Sequence, residues 1–429
     1  MTAVRRVLAL LGVLWSTAAE GEEVGVEEAL EGFDAPAMTP AGGGQEEKRP
    51  TPISGTLIAS TAYTFNRAAG HPDYRGLSRL RLKLGLEADH ELAPDWRMHA
   101  SGHGFYDAFY ALRGREDFSS AILETMERSL EPGEAWLRGR LGSWGDLTLG
   151  RQIAVWGRSD TLRVTDALNP MDNREPGLTD IDALRLPLTM ARIDLYAGAW
   201  TLSAFAIGEM RFNENPPFGA DFATSSAPMP AEEVPSSFGG DTEYALALNG
   251  IFSGWDVSFY GARVHDDQPY RTPFPFAMRH PWLTMVGFAG NVTHGNWLLK
   301  TELARLDGIV LNGTVQARRR TDFLLGLEYS GLPDQTVSLE VVNRYLHGSA
   351  GTQENRVQTA VRYQRDFHHG RLRAVVLNTT NGPGGGGFLR ASLAYDVRDA
   401  LTLTGGVLVF HGGDLDDRDR VFAEMKYSF

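Results

Sequence analysis

The chain ends in Val421-Phe422-Ala423-Glu424-Met425-Lys426-Tyr427-Ser428-Phe429, and this stretch decides the fold. Its odd-numbered positions are all apolar or aromatic, whereas most of its even-numbered positions are charged or polar. A period of two places the two sets on opposite faces of a β-strand. In a soluble sandwich the apolar face would cover a core, and in a membrane barrel it would face lipid.

The same alternation recurs from Gly55 onward. In the clearest example, Leu80, Leu82, Leu84 and Leu86 alternate with Arg79, Arg81, Lys83 and Glu87. A soluble core strand rarely has such a charged opposite face, so this pattern favours a strand between lipid and a lumen. Similar segments at 98–106, 323–329, 337–345 and 389–395 approach the ~9–11 residues that a tilted strand needs to cross the hydrocarbon.

The links between these segments alternate in length. Short links such as 142–145 and 294–296 separate long ones such as 111–132 and 158–188. Short periplasmic turns that alternate with long outer loops are typical of outer-membrane barrels. The sequence therefore predicts an all-β fold, a transmembrane antiparallel up-and-down β-barrel of about 18 strands over residues 54–429.

The C-terminal ending resembles the closing strand of bacterial outer-membrane barrels. In that family, such an ending is recognised by the barrel-assembly machinery. The resemblance implies that Tyr427 and Phe429 serve barrel closure, with residues 55–65 as the partner strand. It also implies the cell outer membrane of a Gram-negative bacterium as the location, with membrane lipid and the assembly machinery as partners.

Composition narrows the function classes. The 429 residues carry a formal net charge of -13, which argues against a nucleic-acid partner. The chain has no cysteine, so disulfides and thiolate metal sites are excluded. A mean hydropathy of -0.24 is too polar for a helical membrane protein, but it suits a barrel with alternating strands.

The N-terminal residues have the character of a leader. A basic pair at Arg5-Arg6 precedes a short apolar run and small residues, which predicts a secretory signal peptide at 1–19. Residues 20–53 are acidic and contain a segment rich in proline and glycine. Two interpretations of them remain open: a disordered periplasmic tail, and a plug segment that docks through residues 30–34.

Aromatic residues suggest two girdles at the membrane surfaces, where amphipathic rings are favoured. The predicted periplasmic girdle consists of tryptophans in or beside short links, namely Trp96, Trp144, Trp200, Trp255 and Trp297. The predicted outer girdle consists of aromatics near long loops, namely Tyr110, Trp156, Trp282 and Tyr345.

The predicted inward faces carry charges of both signs. The pore-lining candidates are Arg79, Arg81, Lys83, Arg97, Arg138, Arg140, Glu302, Glu340 and Arg344. One interpretation is a hydrated lumen in which neighbouring strands pair their charges. The other is a basic ladder, formed by the arginines and lysine at 79–83 and the arginines at 138–140, that guides anionic solutes.

The long loop at 158–188 is unusually rich in charge. The candidate constriction residues within it are Arg158, Asp160, Arg163, Asp166, Asp172 and Arg174. Asp166 and Asn169-Pro170 have the composition of turns and caps, which favours a fixed conformation. Two interpretations remain: a surface loop held by its own ion pairs, and a loop that folds into the lumen as a constriction.

Part of this region resembles a motif of an uncharacterised family of outer-membrane barrels. The resemblance rests on Gly150-Arg151-Gln152, Trp156-Gly157-Arg158, Thr165-Asp166 and Asn169-Pro170-Met171-Asp172, and Gly32-Phe33-Asp34 is similar to a segment of some members. Arg151 departs from the strand alternation. Members of the family are often encoded beside RND-type exporters. The resemblance therefore implies a role in export or uptake, with an exporter complex as a further candidate partner.

Together these observations predict a channel or porin-like protein that passes or exports small solutes, with no cofactor and no catalytic or metal site. The sequence lacks a Gly-x-Ser-x-Gly elbow, a His-Glu-x-x-His motif and a phosphate-binding loop. Two alternatives remain open. One is a non-conducting outer-membrane partner of an exporter of lipids or hydrophobic compounds, and the other is a barrel enzyme such as a lipid hydrolase.

Overall fold

The computed structural model describes residues 53–66, 72–179, 181–225, 227–348, 354–382 and 384–429, apart from the side chain of residue 182. The predicted signal peptide at 1–19 lies outside the described residues. The acidic segment at 20–53 also lies outside them, except for its last residue.

The strands in chain order are β1 (Ile53–Thr64), β2 (Gly76–Ala93), β3 (Trp96–Asp107), β4 (Arg128–Arg140), β5 (Gly145–Gln152), β6 (Leu188–Ala197), β7 (Trp200–Ile207), β8 (Glu232–Glu233), β9 (Glu243–Phe252), β10 (Trp255–His265), β11 (Tyr270–Arg271), β12 (Met278–Arg279), β13 (Trp282–His294), β14 (Trp297–Val310), β15 (Ala317–Leu332), β16 (Gln335–Leu346), β17 (Asn355–Phe367), β18 (Leu372–Thr380), β19 (Gly387–Arg398), β20 (Leu401–His411) and β21 (Arg420–Ser428). Strands β8, β11 and β12 form a small sheet of their own, and the other strands of the described part form one 18-stranded sheet.

The helices of the described residues are short and occur in the loops. Two α-helices span Phe109–Arg113 and Ser120–Ile122, and a π-helix spans Leu123–Glu127. In the described part of the chain, 3-10 helices span Arg115–Asp117, Ile181–Leu184 and Gly413–Leu415. In the part of the chain that the structure describes, no helix has both the length and the apolar character needed to cross a membrane.

The large sheet closes on itself. Its strands pair antiparallel in chain order, and β21 returns to pair with β1. This last pairing sets Leu57 opposite Tyr427 and turns the sheet into a barrel. The predicted class, an antiparallel up-and-down barrel of 18 strands, is confirmed.

The two faces of the wall differ as the alternation predicts. On β2, the side chains of Leu80, Leu82, Leu84 and Leu86 are 42–52% exposed on the outer surface. The side chain of Arg81, between them, points inward and forms an ion pair with Glu175. An apolar outer face around a polar interior is the arrangement of a barrel that crosses a membrane.

Closure of the barrel depends on a fit between Gly55 and the last residue of the chain. The Gly55 amide donates to the Phe429 carbonyl at 2.8 Å, and the Phe429 amide donates to the Gly55 carbonyl at 3.0 Å. The Phe429 ring lies so close that a Cβ on Gly55 would sit 2.6 Å from the ring. The ring therefore covers a patch of β1 that has no side chain of its own.

We expect that deletion of Phe429 reduces the amount of folded, heat-modifiable barrel in the outer membrane. The deletion removes both backbone bonds to Gly55 and uncovers the strand that β21 must meet. Heat modifiability on gels measures the folded fraction, and Phe429→Tyr is the control because it keeps the ring. Unchanged folded protein in the deletion variant would contradict this role.

The outer girdle was predicted wrongly at two positions. Trp156 is 5% exposed and Tyr110 is 4% exposed, whereas a girdle residue faces lipid. Trp156 belongs to a loop that enters the barrel, and Tyr110 packs edge-on against Phe109 and Phe118. The residues of the predicted periplasmic girdle include Trp144 at 56% exposure, as expected for that surface.

Candidate functional site

The segment from residue 153 to 187, which we term the inward loop, joins β5 to β6, and its described residues lie inside the barrel. Its Trp156 ring stacks on Tyr260 of β10 at 4.7 Å and meets Phe205 of β7 edge-on at 5.9 Å. Leu162 and Leu168 of the same loop are buried in the same apolar cluster. Burial of these apolar side chains favours the inward position over one in solvent.

Glu302 of β14 holds the first part of the inward loop. Its carboxylate accepts from the amides of Arg158, Ser159 and Thr165 at 2.6, 2.8 and 2.9 Å, and from the Thr165 hydroxyl at 2.7 Å. The residue is 1% exposed, so these bonds replace the water that a carboxylate would otherwise need. Hydrogen bonds to a charged acceptor are among the strong ones in proteins.

Glu340 of β16 holds the following turn in the same manner. It accepts from the amides of Asp160, Thr161 and Leu162 at 2.7, 3.1 and 3.0 Å, and from the Ser159 hydroxyl at 2.8 Å. Glu340 is 3% exposed. Two wall carboxylates therefore bind successive backbone amides, which fixes the loop by its main chain.

Two glycines leave room for the residues that anchor the inward loop. Gly157 has a φ of +87°, and a Cβ there would lie 2.8 Å from the Glu302 carboxylate. Gly326 of β15 lies between Lys300 and Glu340 in the sheet register. A Cβ on Gly326 would lie 3.2 Å from Lys300 and 3.6 Å from Glu340, so the absent side chain leaves room for these two wall residues.

Ion pairs reinforce the attachment. The Arg158 guanidinium donates to Asp256 at 2.6 Å and to the Ser258 hydroxyl at 2.8 Å, both on β10. The Lys300 ammonium of β14 donates to Asp160 at 2.5 Å. These contacts join the loop to the same part of the wall as the two glutamates.

Arginines of the barrel wall and of the loop itself hold the middle of the inward loop. Arg344 of β16 forms an ion pair with Asp322 at 3.0 Å and donates to the Arg163 carbonyl at 2.7 Å. The Arg163 and Arg185 guanidiniums both donate to Asp166, at 3.0 and 2.8 Å. Asp166 is thus bound inside the loop and does not face open space.

The tip of the inward loop is attached to the opposite wall through Glu175. Its carboxylate forms ion pairs with Arg79 and Arg81 of β2, and Arg81 also binds Asp107 at 3.2 Å. Burial alone would raise the pKa of Glu175, but the two guanidiniums outweigh burial and lower that pKa below its ordinary value of 4.5. This ion pair is therefore fully present above pH 4.5 and weakens only as the pH falls toward the lowered pKa.

Two members of the predicted basic ladder are taken up by the loop tip, and the guiding role of the others stays a prediction. Arg79 and Arg81 are bound to the loop tip, and Arg138 donates to the Thr148 hydroxyl at 3.1 Å. Arg97 and Arg140 are exposed near the short-link end, and Lys83 is half-buried. Arg174 of the loop pairs with Asp172 at 2.6 Å and with Glu131 of β4 at 3.1 Å. The ladder was predicted from the alternation alone, which cannot show a loop that binds the same side chains.

A cavity of about 750 Å³ remains between the inward loop and strands β17 to β20. Its charged lining on the wall side is Arg362, Arg373 and Arg390, and on the loop side it is Asp160, Arg163 and Asp172. Arg362 and Arg390 both lie opposite Leu377 of β18, so they occupy one level of the lumen. Two strand spacings separate them by about 10 Å.

Three of the predicted site residues therefore line the cavity, namely Asp160, Arg163 and Asp172. Glu302 and Glu340 lie beneath the inward loop and hold it. The sequence pattern did not predict Arg373 as a site residue, because apolar and polar residues alternate poorly in the segment that forms β18. Across the described residues, no group of three or more His, Asp or Glu side chains is arranged to hold a metal ion.

The closed 18-stranded wall with its apolar outer face and charged interior defines a transmembrane barrel of the bacterial outer-membrane class. Residues 66–353 match the family described as "Protein of unknown function (DUF1302)", and the chain belongs to that family. No curated protein matches the chain.

Solved outer-membrane barrels share the fold. The crystal structure of Acinetobacter baumannii OccAB3 has a TM-score of 0.57 at 12% identity, with 88% of this chain and 98% of that chain covered. Pseudomonas aeruginosa OccK9 (OpdG) has a TM-score of 0.55 at 12% identity, with coverages of 88% and 97%. A BenF-like porin from Pseudomonas fluorescens Pf-5 has a TM-score of 0.55 at 10% identity, with coverages of 88% and 98%. At these identities the likeness establishes the barrel fold.

Proposed function

We propose that the protein is a channel in the outer membrane of a Gram-negative bacterium and passes small charged solutes. The observation that carries the proposal is the cavity of about 750 Å³ left beside the inward loop. The loop narrows the lumen because Glu302 and Glu340 hold its backbone against one side of the wall. A rigid constriction beside an open space is the arrangement that selects solutes in a pore. One structure with the same fold is described as a porin.

The lining favours anions modestly. Among the described residues, the cavity is lined by the arginines Arg163, Arg362, Arg373 and Arg390 and by the aspartates Asp160, Asp172 and Asp414. Asp160 pairs with Lys300 and Asp172 with Arg174, and likewise Arg163 pairs with Asp166 and Arg373 with Asp366. Arg362 hydrogen-bonds to Gln364 and forms no ion pair with a described residue. Its charge therefore acts on solutes in the passage.

We expect Arg362→Gln to lower the preference for anions over cations, because it removes a charge at the level of Leu377. Reversal potentials in planar bilayers under a salt gradient measure this preference. Arg319→Gln is the matched control, since that side chain is 59% exposed and pairs with Asp307 outside the cavity. An unchanged reversal potential for Arg362→Gln, or an equal shift for the control, would contradict the assignment.

The same recordings distinguish the channel from its rivals. Steady open steps from the wild-type protein support the proposal, and their absence would favour a non-conducting partner of an exporter. The predicted association with an exporter complex stays a prediction, which co-purification from membranes would test. We propose transport and no catalysis; hydrolysis of phospholipid by the purified protein would contradict this part.

A further inference from the structure

A groove of about 910 Å³ runs along the outside of the barrel over β3. Its floor is formed by Gly102 and Gly104, which share the outer face of β3 with Met98 and Tyr106. Met98 and Tyr106 are 43% and 47% exposed, so the groove lies within the lipid-facing surface. It belongs neither to the lumen nor to the inward loop.

The walls of the groove are apolar side chains of the two neighbouring strands. In the sheet register, Leu84 and Leu130 flank Gly104 on either side. Leu86 and Pro132 flank Gly102 in the same way. The two walls belong to strands about 10 Å apart, and the glycines of β3 between them have no side chains. This gap has the width of one hydrocarbon chain. Leu130 is 88% exposed, so no part of the described protein covers this wall.

A positively charged side chain, that of Arg128, lies at the end of the groove nearest the loop between β3 and β4. Arg128 is the first residue of β4 and pairs in register with Tyr106. It lies on the same face as Leu130 by alternation, it is exposed, and no described residue forms an ion pair or side-chain hydrogen bond with it. Arg128 follows the loop between β3 and β4, so it stands at the end of the strand away from the short link at Ala93–Trp96. Since short turns face the periplasm, this end of the strand lies at the opposite membrane surface, at the level of lipid headgroups.

We propose that this groove binds one membrane lipid with an anionic phosphate headgroup, held by Arg128, and with an acyl chain lying over Gly102 and Gly104. Continuity with the lipid-facing surface is the argument for lipid as the occupant, because the apolar outer band of a membrane barrel lies in the hydrocarbon. Charge complementarity with Arg128 fixes the sign of the headgroup, since a phosphate matches a guanidinium. This inference is independent of conduction through the lumen.

The test is native mass spectrometry of the folded full-length protein in detergent, titrated with phosphatidylglycerol or with zwitterionic phosphatidylcholine. The wild type should retain one lipid, and more of the anionic one. Gly104→Leu should lose the retained lipid because the new side chain fills the groove. Gly261→Leu is the matched control: Gly261 is also an outward glycine, and no atom lies within 4 Å of a Cβ built there.

A Cβ on Gly104 would lie 3.2 Å from both Leu130 and the Ser129 carbonyl, so a second variant guards against misfolding. Leu130→Ser removes one wall at an exposed position and should also lower lipid retention. Arg128→Gln should abolish the preference for the anionic lipid. Wild-type retention in both groove variants would overturn the site, as would equal loss in Gly261→Leu. An unchanged preference in Arg128→Gln would overturn the headgroup assignment.

Discussion

Deletion of residues 160–185, with a short glycine-serine link in their place, should raise single-channel conductance severalfold and flatten ion selectivity. The deleted residues carry the loop side of the cavity, including Asp160, Arg163 and Asp172. Conductance rises because the lumen widens where the loop had lain against β14 and β16. Selectivity falls because the remaining wall charges lie further from ions in the widened lumen. Salt screens such charges over a Debye length of about 8 Å.

The measurement is conductance and reversal potential in planar bilayers for the wild type and the deletion variant. Removal of residues 313–316 is the control, because this hairpin tip between β14 and β15 lies outside the cavity. Heat modifiability on gels must show that each variant is folded. Equal conductance and selectivity before and after the loop deletion would contradict the inward loop as the constriction. The limiting region would then have to be sought among the strand charges or in the acidic N-terminal segment.

The wall of the barrel could be predicted from the sequence because its physical cause is local. Leu84 faces lipid and Lys83 faces the lumen since successive side chains of a strand point to opposite sides. The same rule applies to each strand, and short turns set the order in which strands pair. Closure of β21 on β1 followed from the aromatic ending at Tyr427 and Phe429, which the register confirms.

The interior could be predicted only in part, because its contacts join residues far apart in the chain. Glu302 and Glu340 obey the alternation of a lumen-facing strand, and nothing near them in sequence shows that loop amides bind them. The sequence predicts Trp156 in the outer girdle, because a tryptophan beside a long loop can face either the lipid at the membrane surface or the interior of the barrel. Glu175 was not singled out, since its partners Arg79 and Arg81 lie on the far wall.

Replacement of both wall carboxylates, Glu302→Gln with Glu340→Gln, should release the inward loop while the barrel stays closed. Each glutamine keeps the size of the side chain but loses the negative charge, and its amide group is a donor facing other donors. Hydrogen bonds to a charged group contribute about 1.5–3 kcal/mol each. We therefore expect amide hydrogen exchange in the loop to become about ten- to a hundredfold faster.

The amides to be followed are those that bind the two carboxylates, at Arg158, Ser159, Asp160, Thr161, Leu162 and Thr165. Channel recordings of the same variant should show noisier open steps, because a released loop fluctuates within the passage. Glu424→Gln is the matched control: it removes a half-buried charge from the inner face of β21, and no hydrogen bond or ion pair in the described structure joins it to the loop.

The two measurements distinguish anchoring from a general loss of stability. If the glutamates act as anchors, exchange accelerates in the inward loop and stays slow in wall strands such as β15 and β20. A barrel that is merely destabilised would exchange faster throughout, and its heat modifiability would fall. Loop amides that remain as protected as in the wild type would show that the other contacts, such as the stacking of Trp156 on Tyr260 and the ion pair of Arg158 with Asp256, hold the loop without the carboxylates.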